Sequence, residues 1–365
     1  MIKALKPRQI CFFYIALLPV VKFFMMPSLI AGICGEDLWI SVLINALSDI
    51  FTIAVLYFCL KDEDADFFTL IEKRVGKAFA KAVMAFYIIF FLLKTVIPLN
   101  EEKDYVELTL YMTSPSLFTF MPVFFAIFFI CAKKLRVIGR IADGVFIVAL
   151  IGYAFTFALS VSDTDVLAVL PIGAHGIKKV ALGAYSSCGW FSDGAYFLFF
   201  VGNYVKGKKD GLKILISVAV SSLIVLGFTI IFYGTFTSIA FRQKFALTEL
   251  SKYTTAINNM ERFDFVAIFA LLFTSIFALS LPFYFACELT ERLFNIKRWL
   301  AAIIAILPPV ILLLFFGEYF NSIENFIINI ASGYFITLGT IFPIIMAIIL
   351  KLCGKKELNY AVQGN

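Results

Sequence analysis

Four ionisable side chains lie inside long apolar stretches of this chain: Lys22, Asp49, Lys94 and Asp193. A charged group in apolar surroundings is costly unless it meets an opposite charge, a polar ligand or a proton. The lysines are therefore candidates to hold an anionic group, and the aspartates to hold a cationic one. We predict that all four residues serve proton or charge coupling, with Asp49 as a possible counter-ion for Lys22 or Lys94.

Lys22 lies in a proline-flanked run, LLPVVKFFMMPS. A proline inside a helix removes one backbone hydrogen bond and clashes with the preceding turn, so Pro19 and Pro27 predict an unwound or kinked centre. Lys22 is about 21 Å along such a helix at ~1.5 Å per residue, too deep to snorkel easily to an interface. We favour a functional role over a plain proline kink. The candidate substrate-binding residues here are Val20, Val21, Lys22 and Phe23.

Asp193 lies in a second irregular run, AYSSCGWFSDGAYF. Small polar residues and glycines in mid-helix let the backbone unwind, and half-helix ends then hold ionic groups. The alternative is a small-residue helix-packing face, which explains an acid beside Gly194 poorly. The candidate substrate-binding residues here are Ser186, Ser187, Cys188, Gly189 and Trp190.

The composition indicates which solvent surrounds these residues. Of 365 residues, 62% are hydrophobic and only 15% are charged. A soluble domain usually has about a quarter of its residues charged. The apolar excess predicts an all-α integral membrane protein, since helices satisfy their own backbone polar groups in lipid.

Apolar runs predict about ten transmembrane helices. The predicted spans are 8–33, 37–60, 82–105, 117–133, 141–160, 181–204, 212–237, 262–290, 299–316 and 323–351. An amphipathic piece at 66–81 predicts an interfacial helix. The first apolar stretch is too long for a cleavable signal and no small-residue cleavage site follows, so we expect it to stay in the protein. No soluble domain is expected, and residues 1–365 form a single transmembrane domain.

The basic residues predict the orientation. One side of the predicted membrane carries 22 lysines and arginines at or beyond the span ends and the other carries 7, with Lys22 and Lys94 left inside spans. The richer side should be cytoplasmic, which places both termini in the cytoplasm of a multi-pass cell-membrane protein.

The two irregular spans are the first and the sixth. That spacing is what two five-span repeats give when each opens on a discontinuous helix, and an odd span number makes the repeats inverted. We predict repeat one at about 8–160 and repeat two at about 181–351.

The remaining polar residues offer little chemistry. Glu288 is a candidate ionic partner inside the bundle, but a charge pair near the cytoplasmic end is the simpler explanation for it. His175 lies in an outward loop and is expected to be solvated. The seven cysteines show no CxxC pair, so neither a metal site nor structural disulfides are expected. No catalytic constellation, cofactor motif or basic–aromatic run appears, so we expect no enzyme activity, no cofactor and no nucleic-acid partner.

Several stretches also carry a family resemblance. They are LKPRQICFF, MMPSLIAGICGEDLWISVL, TSPSLFTFMPVFFA, RVIGRIADGVF, VLAVLPIGAHGIKKVALGAYSSCGWFSDGAYFLFFVGNYVKGKKDGLK and ERFDFVAIFALLF, in this order along nearly the whole chain. The chain resembles the spore-germination permease family, the B-subunit type of endospore nutrient receptors, within the amino acid–polyamine–organocation superfamily.

The resemblance implies a ten-helix fold like that of the sodium-coupled leucine transporter, with an amino-acid-sized site between broken helices one and six. It also implies a spore inner-membrane setting and two partner subunits, a larger membrane protein and a lipoprotein. This chain departs from the family in two places. It has Val20, Val21 and Lys22 where a small Gly-Ser-like turn is usual, and Asp193 where a glutamate is common.

Three functions agree with these features. The leading hypothesis is a permease-type germinant-receptor subunit that binds an amino acid or similar small nutrient at the bilayer midplane. The second is a stand-alone proton-coupled amino acid transporter in which Lys22 or Asp193 carries the proton. The third is a scaffold subunit of a membrane receptor complex that binds no ligand.

Overall fold

The computed structural model describes residues 5–109, 116–207, 209–252, 264–316 and 319–363. In these ranges the chain is helical, and its strand-like pairing is one isolated parallel bridge between Leu5 and Tyr204. The predicted first residues of span eight, 262 and 263, lie outside the described residues, as does 253–261 of the stretch between predicted spans seven and eight.

Sixteen α-helices are described. They are α1 (Pro7–Phe12), α2 (Met26–Cys34), α3 (Leu38–Leu60), α4 (Phe67–Arg74), α5 (Lys77–Thr109), α6 (Ser116–Cys131), α7 (Arg136–Ser160), α8 (Gly176–Ser186), α9 (Gly194–Phe200), α10 (Asp210–Phe236), α11 (Ala246–Lys252), α12 (Asp264–Phe294), α13 (Arg298–Phe315), α14 (Phe320–Phe326), α15 (Ser332–Ile336) and α16 (Phe342–Gln363).

Six helical stretches of the described chain are long and apolar enough to cross a membrane, by length and composition. They are Met26–Leu60, Lys77–Val106, Arg136–Asp163, Asp210–Arg242, Val266–Phe294 and Ser322–Gly354. Met26–Leu60 turns at Gly35, whose φ of 55° suits a residue without a side chain, and so contains both α2 and α3. Two shorter apolar helices, Phe120–Cys131 and Arg298–Leu313, fall on predicted spans four and nine.

The helices form a bundle with an apolar outer surface. Phe51, Phe129 and Ile147 are 60%, 62% and 65% exposed, whereas the interior is packed with buried phenylalanine and tyrosine. Large apolar side chains turned outward suit a hydrocarbon solvent rather than water. The all-α, multi-pass membrane class predicted from composition is confirmed.

Two predicted elements have features that the sequence did not predict. The amphipathic piece at 66–81 contains α4, which Asp66 begins by accepting a hydrogen bond from the Thr69 amide at 3.1 Å. The apolar side of α4 is fully buried in the protein, at Phe67, Phe68 and Ile71. The tenth predicted span lies within one helical stretch, Ser322–Gly354, in which π-helical turns at Ile327–Ala331 and Thr337–Ile341 separate α14, α15 and α16.

Close packing around α8 and α12 positions the broken spans. The α12 helix packs against α5, α6, α7 and α13, and α8 packs against α2 and α3. Gly183 on α8 allows the latter contact, because a Cβ there would lie 2.3 Å from the sulfur of Cys34. Two α3 side chains then bond to α8: Ser41 donates to the Val180 carbonyl and Asn45 to the Ala184 carbonyl, each at 2.9 Å.

Candidate functional site

The first span is interrupted where the prolines predicted it. After α1 the chain makes a π-helical turn (Phe13–Leu17) and a 3-10 turn (Val20–Lys22) before α2 begins. Pro19 opens the 3-10 turn and its carbonyl accepts from the Lys22 amide at 2.9 Å. Pro27 lies in the first turn of α2, where a missing N–H costs nothing. Lys22 thus lies on non-α backbone with its side chain buried.

The sixth span is interrupted between α8 and α9. Residues 187–193 leave the helix, and Ser192 has a φ of 62°, a left-handed conformation that is unfavourable for a residue with a side chain. Its hydroxyl donates to the Cys188 carbonyl at 3.1 Å and to the Phe335 carbonyl at 3.3 Å, which supports the strained turn. Asp193 follows directly, at the start of α9.

Asp193 joins the two interruptions to α5 through both carboxylate oxygens. Oδ2 lies 2.5 Å from the Lys22 ammonium and Oδ1 lies 3.4 Å from the Lys94 ammonium. The three side chains are only 4–7% exposed. Lys94 also donates to the Gly189 carbonyl at 3.2 Å and to the Phe191 carbonyl, so an α5 side chain binds the unwound backbone directly. We call these three residues the ionic cluster.

Asp49 lies next to the ionic cluster, but both lysines form their ion pairs with Asp193. Asp49 Oδ1 accepts from the Gly194 amide at 3.2 Å, so it holds the N-terminus of α9. A small cavity of about 10 Å³ is lined by Asp49, Lys22 and Asp193 together. The four ionisable residues selected from the sequence therefore lie around one point in the bundle.

A second small cavity separates span one from span six. Its lining includes Val21, Lys94, Pro98, Gly189, Trp190 and Asp193. Its volume is about 20 Å³, room for about one water molecule. A larger ligand therefore needs the broken helices to separate at this cavity, although a cavity of about 350 Å³ adjoins the site on the side of Asp49, Cys188 and Ser192.

The other candidate binding residues point elsewhere. The Ser187 hydroxyl donates to the Gly183 carbonyl at 2.7 Å and accepts from Asn45, and Cys188 donates to the Ala184 carbonyl at 3.1 Å. Phe23 stacks on Phe228 with ring centroids 4.0 Å apart. Ser186 and Val20 are buried without lining either small cavity.

Two other polar residues have different surroundings from those expected. His175 is not simply solvated, since its Nε2 lies 3.1 Å from a Glu36 carboxylate oxygen and its amide donates to Asp37 at 3.0 Å. Glu288 does not reach the central lysines. It pairs with Arg292 at 2.9 Å and with Arg298 at 2.5 Å, the simpler of its two predicted roles.

Glu101 and Glu102 are buried residues to which the sequence interpretation gave no role. They lie near the end of α5 and are 1% and 2% exposed. Glu101 accepts from the Trp190 indole at 3.2 Å. The available signal was the seven-residue spacing from Lys94, which puts Glu101 on the same helix face.

Comparison with known proteins now decides the family. A model described as "Spore germination protein" (Spore_permease) matches residues 4–324. The chain belongs to the spore germination permease family. No curated protein sequence matches this permease.

Solved structures similar to the permease are transporters of the leucine-transporter type of fold, as predicted. MhsT in complex with L-phenylalanine is 14% identical, with a TM-score of 0.61, over 94% of this chain and 98% of that chain. A mutant manganese transporter of Eremococcus coleocola is 12% identical, with a TM-score of 0.55, over 95% of this chain and 84% of that chain. At these identities the likeness shows the fold alone.

Proposed function

We propose that this permease-family protein is the permease-type subunit of a spore germinant receptor and that it binds an amino acid between its first and sixth spans. Family membership and the transporter fold support a membrane permease. The amino acid, the receptor role, the spore inner membrane and the two partner subunits, a larger membrane protein and a lipoprotein, belong to the proposal.

The ionic cluster is the observation that carries the proposal. A zwitterion can enter a buried lysine–aspartate pair without leaving a charge unpaired: its carboxylate takes an ammonium and its own ammonium takes Asp193. Lys22 and Lys94 both contact Asp193, so one of them can turn to the ligand while the other keeps Asp193 paired. A neutral ligand that displaced one ammonium from Asp193 would leave that ammonium unpaired in low dielectric, which is costly.

The location of the cluster suits a conformational signal. Lys22 lies on the interruption of span one, and Lys94 holds the carbonyls of the span-six interruption. A ligand that takes an ammonium from Asp193 therefore changes what holds the two broken helices together. Binding then shifts the equilibrium between closed and open bundles by the ligand's differential affinity for the two.

Ligand binding to the purified protein tests the proposal. We would measure equilibrium binding of a panel of labelled amino acids to wild type and to Lys22→Ala, with Lys213→Ala as the matched control. Lys213 forms an ordinary ion pair with Asp210 and its side chain is 63% exposed. We expect one or more amino acids to bind wild type and Lys213→Ala equally and to lose affinity at least tenfold for Lys22→Ala. Equal affinity for all three proteins would reject the ionic cluster as the site.

Uptake into proteoliposomes separates the receptor from a transporter. Binding without accumulation supports the sensor role, and accumulation driven by a proton gradient supports a proton-coupled transporter instead. Absence of binding by every amino acid in the panel would contradict both and leave the scaffold role.

A further inference from the structure

Two carboxyl groups near the C-terminal end of α5 lie in surroundings that disfavour the ionised form. Glu101 and Glu102 are 1% and 2% exposed. Each has one oxygen, Oε2, that is enclosed and has no hydrogen-bond partner among the described residues. The other oxygen of Glu101 accepts from the Trp190 indole at 3.2 Å, and the Met25 amide also faces this carboxyl. The other oxygen of Glu102 accepts from the Ser275 hydroxyl at 2.6 Å.

Few charged groups face these carboxyls. In the described chain Glu102 meets a hydroxyl of α12 and no cation. The charged groups that face Glu101 from packed elements are Glu324 of α14 and Lys244, which precedes α11. Lys244 is already bound to Asp104 at 2.9 Å.

Their own helix supplies no cation to either group. Lys103, the adjacent residue on α5, lies 3.2 Å from Asp104. Neither glutamate forms a salt bridge within the described residues.

Glu288 on α12 is a contrasting, largely enclosed carboxyl group that has cationic partners. Its two oxygens meet the guanidinium groups of Arg292 and Arg298 at 2.9 Å and 2.5 Å. An unpaired buried charge costs several kcal/mol, on the order of 3–5, whereas an unsatisfied neutral group costs about 1–3. A neutral acid is therefore the cheaper form at Glu101 and Glu102, and the indole and hydroxyl donors suit the carbonyl oxygen of that acid.

We propose that Glu101 and Glu102 form a proton-binding site, each holding a proton while the bundle is closed. Trp190 belongs to the interruption of span six and also lines the small central cavity, so the Glu101 contact connects this site to the central one. When the contacts of α5 with Trp190 and with Ser275 open, water reaches the carboxyls and the protons leave. Protons thus favour the closed bundle, and the proton is a second ligand besides the proposed nutrient.

Infrared spectroscopy tests the protonation directly and does not depend on the proposed nutrient. A protonated carboxyl has a C=O band that an ionised one lacks, and the band shifts in D₂O. We would compare full-length wild type in lipid nanodiscs at neutral pH with Glu101→Gln, Glu102→Gln, their double variant and the control Glu288→Gln. We expect each single variant to remove its own part of the band, the double variant to remove both parts, and Glu288→Gln to remove none. An unchanged band in the double variant would overturn the proposal.

Thermal melting of the same samples is an independent test of the protonation state. Because glutamine replaces a neutral acid by a neutral amide of similar shape, Glu101→Gln and Glu102→Gln should melt close to wild type. Glu288→Gln should melt lower, since it removes the carboxylate that Arg292 and Arg298 share and leaves them only Asp66 and Glu291. Failure of both Gln variants to fold, or a loss as large as that of Glu288→Gln, would show that the carboxyls are ionised and overturn the proposal.

Discussion

Asp193 binds two ammonium groups in a part of the bundle that water barely reaches. With Asp49 beside them, Lys22, Lys94 and Asp193 give two positive and two negative groups around one point. The Lys22 ammonium also lies 4.7 Å from the Phe191 ring centroid, a favourable cation–π distance. Two lysines and two aspartates of the chain thus lie together at this point.

Removing the carboxylate of Asp193 should destabilise the protein. In Asp193→Asn two buried ammonium groups lose their ionic partner, and loss of one partner of a buried pair costs about 3–5 kcal/mol. The double variant Asp193→Asn with Lys22→Met should recover part of that loss, because it removes one of the unpaired charges. Thermal unfolding in detergent measures both.

The control for this pair of variants is Asp64→Asn. The Asp64 side chain is 84% exposed and lies 3.7 Å from Lys206, so its removal should change stability by no more than about 0.5 kcal/mol. A double variant less stable than Asp193→Asn alone would show that unpaired lysine charge is not what destabilises the single variant.

Ligand binding should not need sodium. The ammonium groups of Lys22 and Lys94 already supply the positive charge at the two helix interruptions. Replacing NaCl by choline chloride at equal ionic strength should leave the affinity for the proposed amino acid unchanged in wild type. A tenfold loss of affinity in choline would show that a sodium site exists in spite of the lysines.

The sequence identified the important central residues but not all of their contacts. The sequence alone predicted that Lys22 lies deep in a span between two prolines and that an acid lies beside Gly194. The choice of Asp193 over Asp49 as the partner of Lys22 was not, because periodicity gives depth in one helix and no contact between residues 171 positions apart. Glu101 and Glu102 were missed because acids near a span end normally reach water, whereas here they turn inward.

At the scale of single elements, glycine decides how closely α8 approaches its neighbours. A methyl group at Gly183 would meet the Cys34 sulfur at 2.3 Å and the Ser41 hydroxyl at 2.8 Å. Both of these atoms are fixed by hydrogen bonds to α8 carbonyls, at 3.2 Å from Cys34 to Lys179 and 2.9 Å from Ser41 to Val180. The packing of α8 on α2 and α3 therefore cannot widen to fit a methyl group without breaking these hydrogen bonds.

Gly183→Ala should therefore destabilise the protein by about 1–3 kcal/mol, the usual cost of overpacking. Gly144→Ala on α7 is the matched control, since a Cβ there meets nothing within 4 Å and alanine favours a helix by up to about 1 kcal/mol. Thermal unfolding of the two variants should move in opposite directions. Equal melting of Gly183→Ala and wild type would show that α8 can shift away from α2 and α3.

Interruptions caused by local sequence could be predicted, and those caused by tertiary contacts could not. The breaks in spans one and six coincide with prolines, glycines and small polar residues. The π-helical turns of the last span free carbonyls that distant side chains then bind. Ser192 donates to the Phe335 carbonyl at 3.3 Å and Tyr87 to the Leu338 carbonyl at 2.8 Å. No sequence pattern within 323–351 predicts that these distant side chains donate hydrogen bonds there.

At the scale of the whole molecule, the two broken spans occupy equivalent places in the predicted five-span repeats. Both carry charged residues at their interruptions, and these residues bind each other. A contact between equivalent points of two repeats is where relative movement of the repeats has its largest effect on a ligand site. The repeat limits, about 8–160 and 181–351, remain predictions, as does the cytoplasmic position of both termini.

Labelling of single cysteines tests this orientation. Ala174 precedes α8 and Lys209 follows α9, both are exposed, and the broken sixth span lies between them. In a background with the half-buried Cys11, Cys59 and Cys353 changed to serine, the four buried cysteines should stay unreactive. A membrane-impermeant maleimide added to intact cells should label Ala174→Cys, and it should label Lys209→Cys only after permeabilisation, because the lysine-rich side is predicted to be cytoplasmic. The reverse pattern would invert the topology, and labelling of both in intact cells would show that the interrupted sixth span does not cross the bilayer.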